Sequence, residues 1–327
     1  CSVGNTTSQI KKLVEQFPRP SDQLCKDLFE ISHPFLKDHA QELKIKDLSN
    51  DFFQETVIPL GVYCNLLPQQ ERPYLVCFTG GQGSGKTTLS NFLQLFLRKA
   101  CGRSSIGFSI DDIYKTKEDR KRLANNVHPL CRVRGVPGTH DIQMGLETLD
   151  ALFAAGPSTL TPIPAFSKLL GQCKPKSTWQ VFKGRPDYIF FDAWCGGAKP
   201  LSEKDWKPPM NALELEEDPE GIWSKWSNKE LAGDYQRLFD RFDLLVVIKV
   251  PNMDHIYQSR WLQEQTLAKT LTDPELYKKI MTREEVERFV MHYERLTHYV
   301  QDKIPAFADI VIGRDERFNY CFSKVPE

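Results

Sequence analysis

One stretch, Val76-Cys77-Phe78-Thr79-Gly80-Gly81-Gln82-Gly83-Ser84-Gly85-Lys86-Thr87-Thr88, limits what this chain can fold into more than any other. The apolar run Tyr74 to Phe78 reads as a buried strand. A glycine-rich turn follows, and then Lys86 to Arg98 carries Leu89, Phe92, Leu93, Leu95, Phe96 and Leu97, which suits a buried helix. Gly80 to Thr87 fits G-x-x-x-x-G-K-[ST] in the strand–turn–helix setting that gives this pattern its meaning. Glycines let backbone N–H groups turn inward around phosphate oxygens, and the helix start adds its positive dipole end. The expected cradle is Gly80, Gly81, Gln82, Gly83, Ser84, Gly85, Lys86, Thr87 and Thr88. Lys86 is expected to reach the β- and γ-phosphates and the Thr87 hydroxyl to bind Mg²⁺. The bland alternative is a chance glycine loop before a helix. The agreement of motif and flanks favours a nucleoside triphosphate.

From Tyr74 onward, apolar strand patterns alternate with helical ones. Strands are expected over Ser105 to Ile110, Thr159 to Ile163, Tyr188 to Phe191, Leu244 to Val250 and, last, Ile310 to Ile312. Helices are expected over 117–125, Ile142 to Ala155, Ile256 to Leu271 and Arg283 to Gln301. This predicts an α/β chain with the P-loop NTPase fold: a mainly parallel sheet, helices on both faces. Residues 1–70 read as a helical N-terminal region packed on that core, and 71–327 as the P-loop domain. One helix is expected around Ile10, Leu13, Val14 and Phe17; a second is capped by Ser21 and ends near Pro34; Phe35 to Phe53 reads as mostly helical. Residues 195–235, with Trp206, Trp223 and Trp226, interrupt the alternation as an insertion or excursion. Its tryptophans either clamp a ligand or, more commonly, anchor a long loop by burial.

In parallel sheets ligands sit beyond the carboxyl ends of the strands, so residues just after each strand carry most weight. Asp111 and Asp112 follow the second strand directly. Transfer of a phosphoryl group to a hydroxyl needs a carboxylate there to orient it and take its proton, and Asp111 is the candidate. Asp112 either orients water around Mg²⁺ or caps the following turn. Asp192 ends an apolar strand as a metal-holding acid would, or caps a loop. Arg132, Arg134, His140 and Asp141 surround Gly135-Val136-Pro137-Gly138-Thr139, a rigid turn whose arginines could grip a small anion. Arg260, beside Gln263 and Glu264, could fold over the triphosphate as a lid; the alternative is a charged helix face with Glu264 and Lys269 exposed.

Composition narrows the partners. In 327 residues, 43 acidic and 43 basic side chains balance, so no global positive charge points to nucleic acid. Nine cysteines, with no C-x-x-C pair, read as reduced thiols and a cytoplasmic setting rather than a disulfide framework. No apolar run approaches membrane-spanning length. A small hydroxyl-bearing acceptor is therefore the expected partner, with no nucleic acid and no membrane.

Gly80 to Thr88, Ser109-Ile-Asp-Asp-Ile-Tyr114, Arg134-Gly-Val-Pro-Gly-Thr-His-Asp141, Pro164-Ala-Phe-Ser-Lys168, Arg260 to Glu264 and Tyr293-Glu-Arg-Leu-Thr297 resemble D-glycerate 3-kinases of the plant and cyanobacterial type. They also resemble the bacterial and yeast P-loop kinases related to these, a group with uridine kinase, phosphoribulokinase and pantothenate kinase. The resemblance runs from about residue 50 to the C-terminus. It implies transfer from ATP with Mg²⁺ to D-glycerate or a related small acid. Asp111, Lys86 and Arg260 would act in catalysis, and Thr87 and Asp192 on the metal. Asp112, Tyr114, Arg134, His140, Asp141 and Lys168 would lie on the acceptor side. Three departures stand out. Ser167 replaces the usual aspartate before the lysine, Leu169-Leu170-Gly171-Gln172-Cys173 replaces charged residues after it, and Asp192-Ala193-Trp194 stands for Glu-Gly-Trp. They motivate a second reading: an ATP-binding protein of this fold with altered or lost transfer activity, acting through a protein partner.

Overall fold

A computed structural model describes residues 21–45 and 48–324. The helix expected around Ile10 to Phe17 lies outside them. Six strands form the main sheet: β1 (Tyr74–Thr79), β2 (Ser105–Ser109), β7 (Tyr188–Asp192), β8 (Leu244–Lys249), β9 (Ile310–Arg314) and β10 (Tyr320–Lys324), in the spatial order β10-β9-β8-β1-β7-β2. All pairings are parallel except β9–β10. β1 lies centrally, with Phe78 level with Asp192 on β7 and Val246 on β8. This sets the glycine loop beside the ends of both neighbours.

Successive side chains of β1 point to opposite faces, and both faces are buried, so the strand is apolar throughout. Val76 and Phe78 join the core with Leu89, Phe92 and Phe96 of α3 (Lys86–Cys101). Leu75 and Cys77 join the opposite core. There they meet Leu146 and Leu149 of α5 (Ile142–Ala154), Leu238 of α8 (Asp234–Phe239) and Val300 of α10 (Arg283–Asp302).

The N-terminal segment packs on the α3 face. Ser21 caps α1 (Asp22–Glu42), its hydroxyl accepting from Leu24 N at 3.2 Å, as expected. The helix does not end near Pro34 but runs through it. An interior proline costs about 3 kcal/mol. Leu24, Leu28 and Leu36, all fully buried, each return about 1.5–3 kcal/mol, and Leu36 lies beyond the proline. Burial on both sides of Pro34 therefore outweighs its missing hydrogen bond. α1 ends at Glu42 and helix starts again at Asn50, in keeping with the mostly helical reading of Phe35 to Phe53, and passes through a π-helical Phe53–Val57 into α2 (Ile58–Leu66).

Elsewhere the expected elements are present with shifted ends. α4 spans Lys117–Asn126, and α9 spans Met253–Thr270, with Arg260 two turns inside it. β3 (Leu160–Ile163) pairs with β6 (Gln180–Lys183) outside the main sheet. Between them the short β4 (Phe166–Ser167) and β5 (Gln172–Cys173) form a second hairpin. β10 was not anticipated. The 195–235 excursion holds α6 (Ala212–Glu217) and α7 (Ile222–Leu231) and leads into α8. Its tryptophans anchor: Trp223 is buried, edge-on to His292, and Trp206 lies under the Arg295 guanidinium. Cys25, Cys64, Cys77, Cys101, Cys131, Cys173 and Cys195 are free thiols. Among the described residues no helix is long and apolar enough to cross a membrane.

Candidate active site

The glycine loop takes conformations that side chains resist. Gly80, Gly83 and Gly85 have φ of 149°, 70° and 94°. A Cβ on Gly83 would lie 2.3 Å from that of Ser259 on α9, and one on Gly85 would lie 1.9 Å from the Tyr320 hydroxyl. The loop is thus held between α9 and the β9–β10 hairpin. Tyr320 donates to Gly85 O at 3.0 Å, and Arg314 Nη1 to Ser84 O at 3.1 Å.

Lys86 is buried at the start of α3, donating to Gly80 O at 2.9 Å and Gly81 O at 3.0 Å. Its Nζ is 3.9 Å from Asp192 Oδ1, and the Thr87 hydroxyl donates to Asp192 Oδ2 at 3.0 Å. Burial raises the Asp192 pKa above the ordinary carboxylate value, and the Lys86 charge opposes this. Mg²⁺ favours a few hard oxygen ligands together with water and phosphate. A hydroxyl touching a carboxylate beside the loop suits it.

Asp111 lies across the cleft. Burial would raise its pKa, but the Lys168 ammonium, 2.7 Å away, and the Tyr114 hydroxyl, donating at 2.7 Å, together hold it well below the usual range. Asp112 differs. It accepts from Ser109 N at 3.0 Å in a capping box, and burial pushes its pKa up to about 6. Two adjacent carboxylates thus have opposite leanings, because Asp111 is in direct contact with both the lysine and the Tyr114 hydroxyl.

A cleft of about 410 Å³ joins these groups. Gln82, Gly83, Lys86 and Thr87 line one side, Asp111, Asp112, Tyr114, Arg134 and Lys168 the other, and Asp192 and Arg260 also border it. The volume falls within the range of small-ligand sites. Gly80, Gly81, Ser84, Gly85 and Thr88 complete the loop and helix start without lining the cleft.

His140 and Asp141 do not line it either. The His140 ring is buried, stacked 4.5 Å from Tyr114, and its Nδ1 meets the Tyr235 hydroxyl. Burial lowers its pKa to about 3, so it is neutral. Asp141 caps α5, accepting from Met144 N at 3.0 Å. Glu264 is buried rather than exposed. It pairs with Arg260 at 2.8 Å and accepts from Met281 N at 2.8 Å.

Sequence reasoning missed Phe289, and it had Trp194 and Tyr293 only as letters of a motif; all three line the cleft. Trp194 donates to Gly135 O at 3.2 Å, and Tyr293 to Arg134 O at 3.3 Å, so both fix the arginine-bearing loop. The signal available for Phe289 was its position four residues before Tyr293 on one helix face.

This fold, with its loop between β1 and α3, is that of a P-loop kinase. No family model matches the chain. The chain is 32% identical over 231 residues to the uncharacterized kinase mug58 of Schizosaccharomyces pombe, covering 68% of this chain and 79% of that one. It is 27% identical over 308 residues to the chloroplastic D-glycerate 3-kinase of Arabidopsis thaliana, covering 89% of this chain but 61% of the plant protein. The solved D-glycerate 3-kinase of Cryptococcus neoformans shares the fold, with a TM-score of 0.63 at 22% identity over 82% of this chain and 96% of that one. The chain belongs to the family of P-loop kinases that includes the fission-yeast kinase and the plant D-glycerate 3-kinase.

Proposed function

We propose that the protein transfers the γ-phosphate of ATP, with Mg²⁺, to a hydroxyl of D-glycerate or a related small hydroxy acid. The observation that carries this reading is the convergence of Lys86, Thr87 and Asp192 with Asp111, Arg134 and Lys168 on one cleft. The names of the relatives supply glycerate as the first candidate.

In this reading the acceptor's hydroxyl binds beside Asp111, and its carboxylate is met by Arg134. Asp111 orients the hydroxyl and takes its proton. The hydroxyl oxygen bonds to the γ-phosphorus as the bond to the β–γ bridging oxygen breaks, and ADP leaves with that electron pair. Lys86 and Arg260 offset charge spreading over the transferred group. Thr87 and Asp192 would hold Mg²⁺, which supplies further neutralisation of the phosphate oxygens. Lys168 keeps Asp111 ionised until the acceptor arrives.

The test is ADP release with ATP and Mg²⁺ across a panel of small hydroxy acids, sugars and nucleosides. Release dependent on a hydroxy acid supports the proposal. Release that depends only on a sugar or nucleoside, or tight ATP binding with no acceptor-dependent release, refutes it.

A further inference from the structure

Five residues from five separate segments form an alternating stack, of which Arg134, Phe289 and Arg260 line the cleft. The Arg120 guanidinium, on α4, lies over the Phe166 ring of β4 at 5.9 Å from its centroid. Arg134 lies over the same ring at 5.8 Å and over Phe289 of α10 at 5.6 Å. Arg260 of α9 lies over Phe289, also at 5.6 Å. Three like charges are thus interleaved with two aromatic rings, each within the range of cation–π attraction.

The charges are unevenly compensated. Arg260 has Glu264. Arg120 is buried and, among the described residues, donates only to Gly171 O, at 2.8 Å, while its Nε and Nη1 have no partner there. Arg134 makes no side-chain hydrogen bond or ion pair among the described residues, yet it lines the cleft. An arginine with all its donors unspent would ordinarily sample many rotamers. Here two rings hold it.

We infer that Phe166 and Phe289 are positioning residues for Arg134, and that Phe289 is a shared brace setting both the acceptor-side Arg134 and the nucleotide-side Arg260. This rests on the kinase reading for which side each arginine serves. The two rings then have different reach. Phe166 touches the acceptor-side Arg134 and the buried Arg120, whereas Phe289 touches one arginine from each side. Changing Phe289 disturbs both substrates; changing Phe166 disturbs the acceptor alone.

The test uses Phe289→Met, Phe289→Tyr and Phe166→Met. Methionine retains most of the bulk without the π face, and tyrosine keeps the ring. ATP affinity is read by calorimetry, the acceptor KM and kcat from ADP release with D-glycerate, and folding from the melting temperature. Phe289→Met is expected to weaken ATP binding and raise the acceptor KM, each by about five- to tenfold. Phe289→Tyr should stay near the parent, and Phe166→Met should raise the acceptor KM alone. The inference is overturned if Phe289→Met shifts neither quantity or only one, if tyrosine is as damaging as methionine, or if Phe166→Met weakens ATP binding equally. Should the parent show no glycerate turnover, the substrate assignment fails separately. ATP affinity then judges the brace: a loss in Phe289→Met restored in Phe289→Tyr supports it, and an unchanged affinity overturns it.

Discussion

The Lys168 ammonium lies 2.7 Å from Asp111 Oδ2, while the Tyr114 hydroxyl donates to Oδ1. One carboxylate therefore has both oxygens engaged, and it remains ionised at pH values where ordinary carboxylates protonate. Lys168 sits at the tip side of the β4–β5 hairpin with its side chain largely exposed, so water screens part of the attraction.

Lys168→Met removes the main opposing charge and leaves burial to act on Asp111. The acid limb of kcat/KM is expected to move upward by about 1–3 pH units. A pH–rate profile of parent and variant checks this. An unmoved limb would show that Lys168 does not set the ionisation of Asp111 during turnover.

Asp111→Asn keeps the shape of the side chain and loses the base. Turnover is expected to fall by about 10²–10⁴. ATP affinity should stay within about twofold, because the loop is unaltered and uniform binding is untouched. Single-turnover kinetics with calorimetric ATP titration separates the two. Turnover within a few-fold of the parent sinks the assignment.

The half-buried Asp112, with its pKa raised to about 6, makes stability depend on pH in a definite sense. A folded-state pKa above the unfolded value means that the folded chain holds the proton more tightly. The favourable contribution is fully present below the unfolded value, near 4, and is lost as pH rises through about 6. Asp112→Asn removes this dependence while retaining an oxygen for Ser109 N–H. The variant should therefore gain on the parent as pH rises from 4 to 7. Urea melts at several pH values read the difference; a constant gap would contradict it.

Gly85 has φ of 94°, and its missing Cβ would lie 1.9 Å from the Tyr320 hydroxyl. Gly85→Ala should destabilise the fold by about 1–3 kcal/mol and impair ATP binding, through strain and contact together. Adding Tyr320→Phe removes the nearest clashing atom and should recover part of the loss. If the double variant is no better than the single one, the hairpin contact is not what the glycine serves.

The main sheet was legible because its signals are local. Tyr74 to Phe78, Tyr188 to Phe191 and Leu244 to Ile248 are continuous apolar runs of strand length, as expected for strands buried on both faces. Pro34 misled because a proline's local penalty is visible in sequence, whereas Leu36, buried beyond it, is not. β10 escaped because its pairing with β9 depends on the turn at 315–319. There the Asp315 carboxylate accepts from Arg317 N and Asn319 N. Glu264 looked like an exposed acid because its pairing with Arg260 one turn earlier suits a solvated helix face as well, while Met281 N meets it only when α9 packs.

The residues alone determined the phosphate loop, the strand that feeds it, the helix that follows, and the placing of Asp111 and Asp192 after strands. Each follows from backbone geometry and burial within a dozen neighbouring residues. Tertiary packing alone decided which polar groups share a cleft. It brought Lys168 to Asp111 across 57 positions of chain, turned His140 into the core, and aligned Arg120, Arg134 and Arg260 on two rings. The physical reason is range. Helix and strand periodicity is written in near neighbours, while ion pairs, desolvation and cation–π contacts depend on distances that exist only after distant segments have packed.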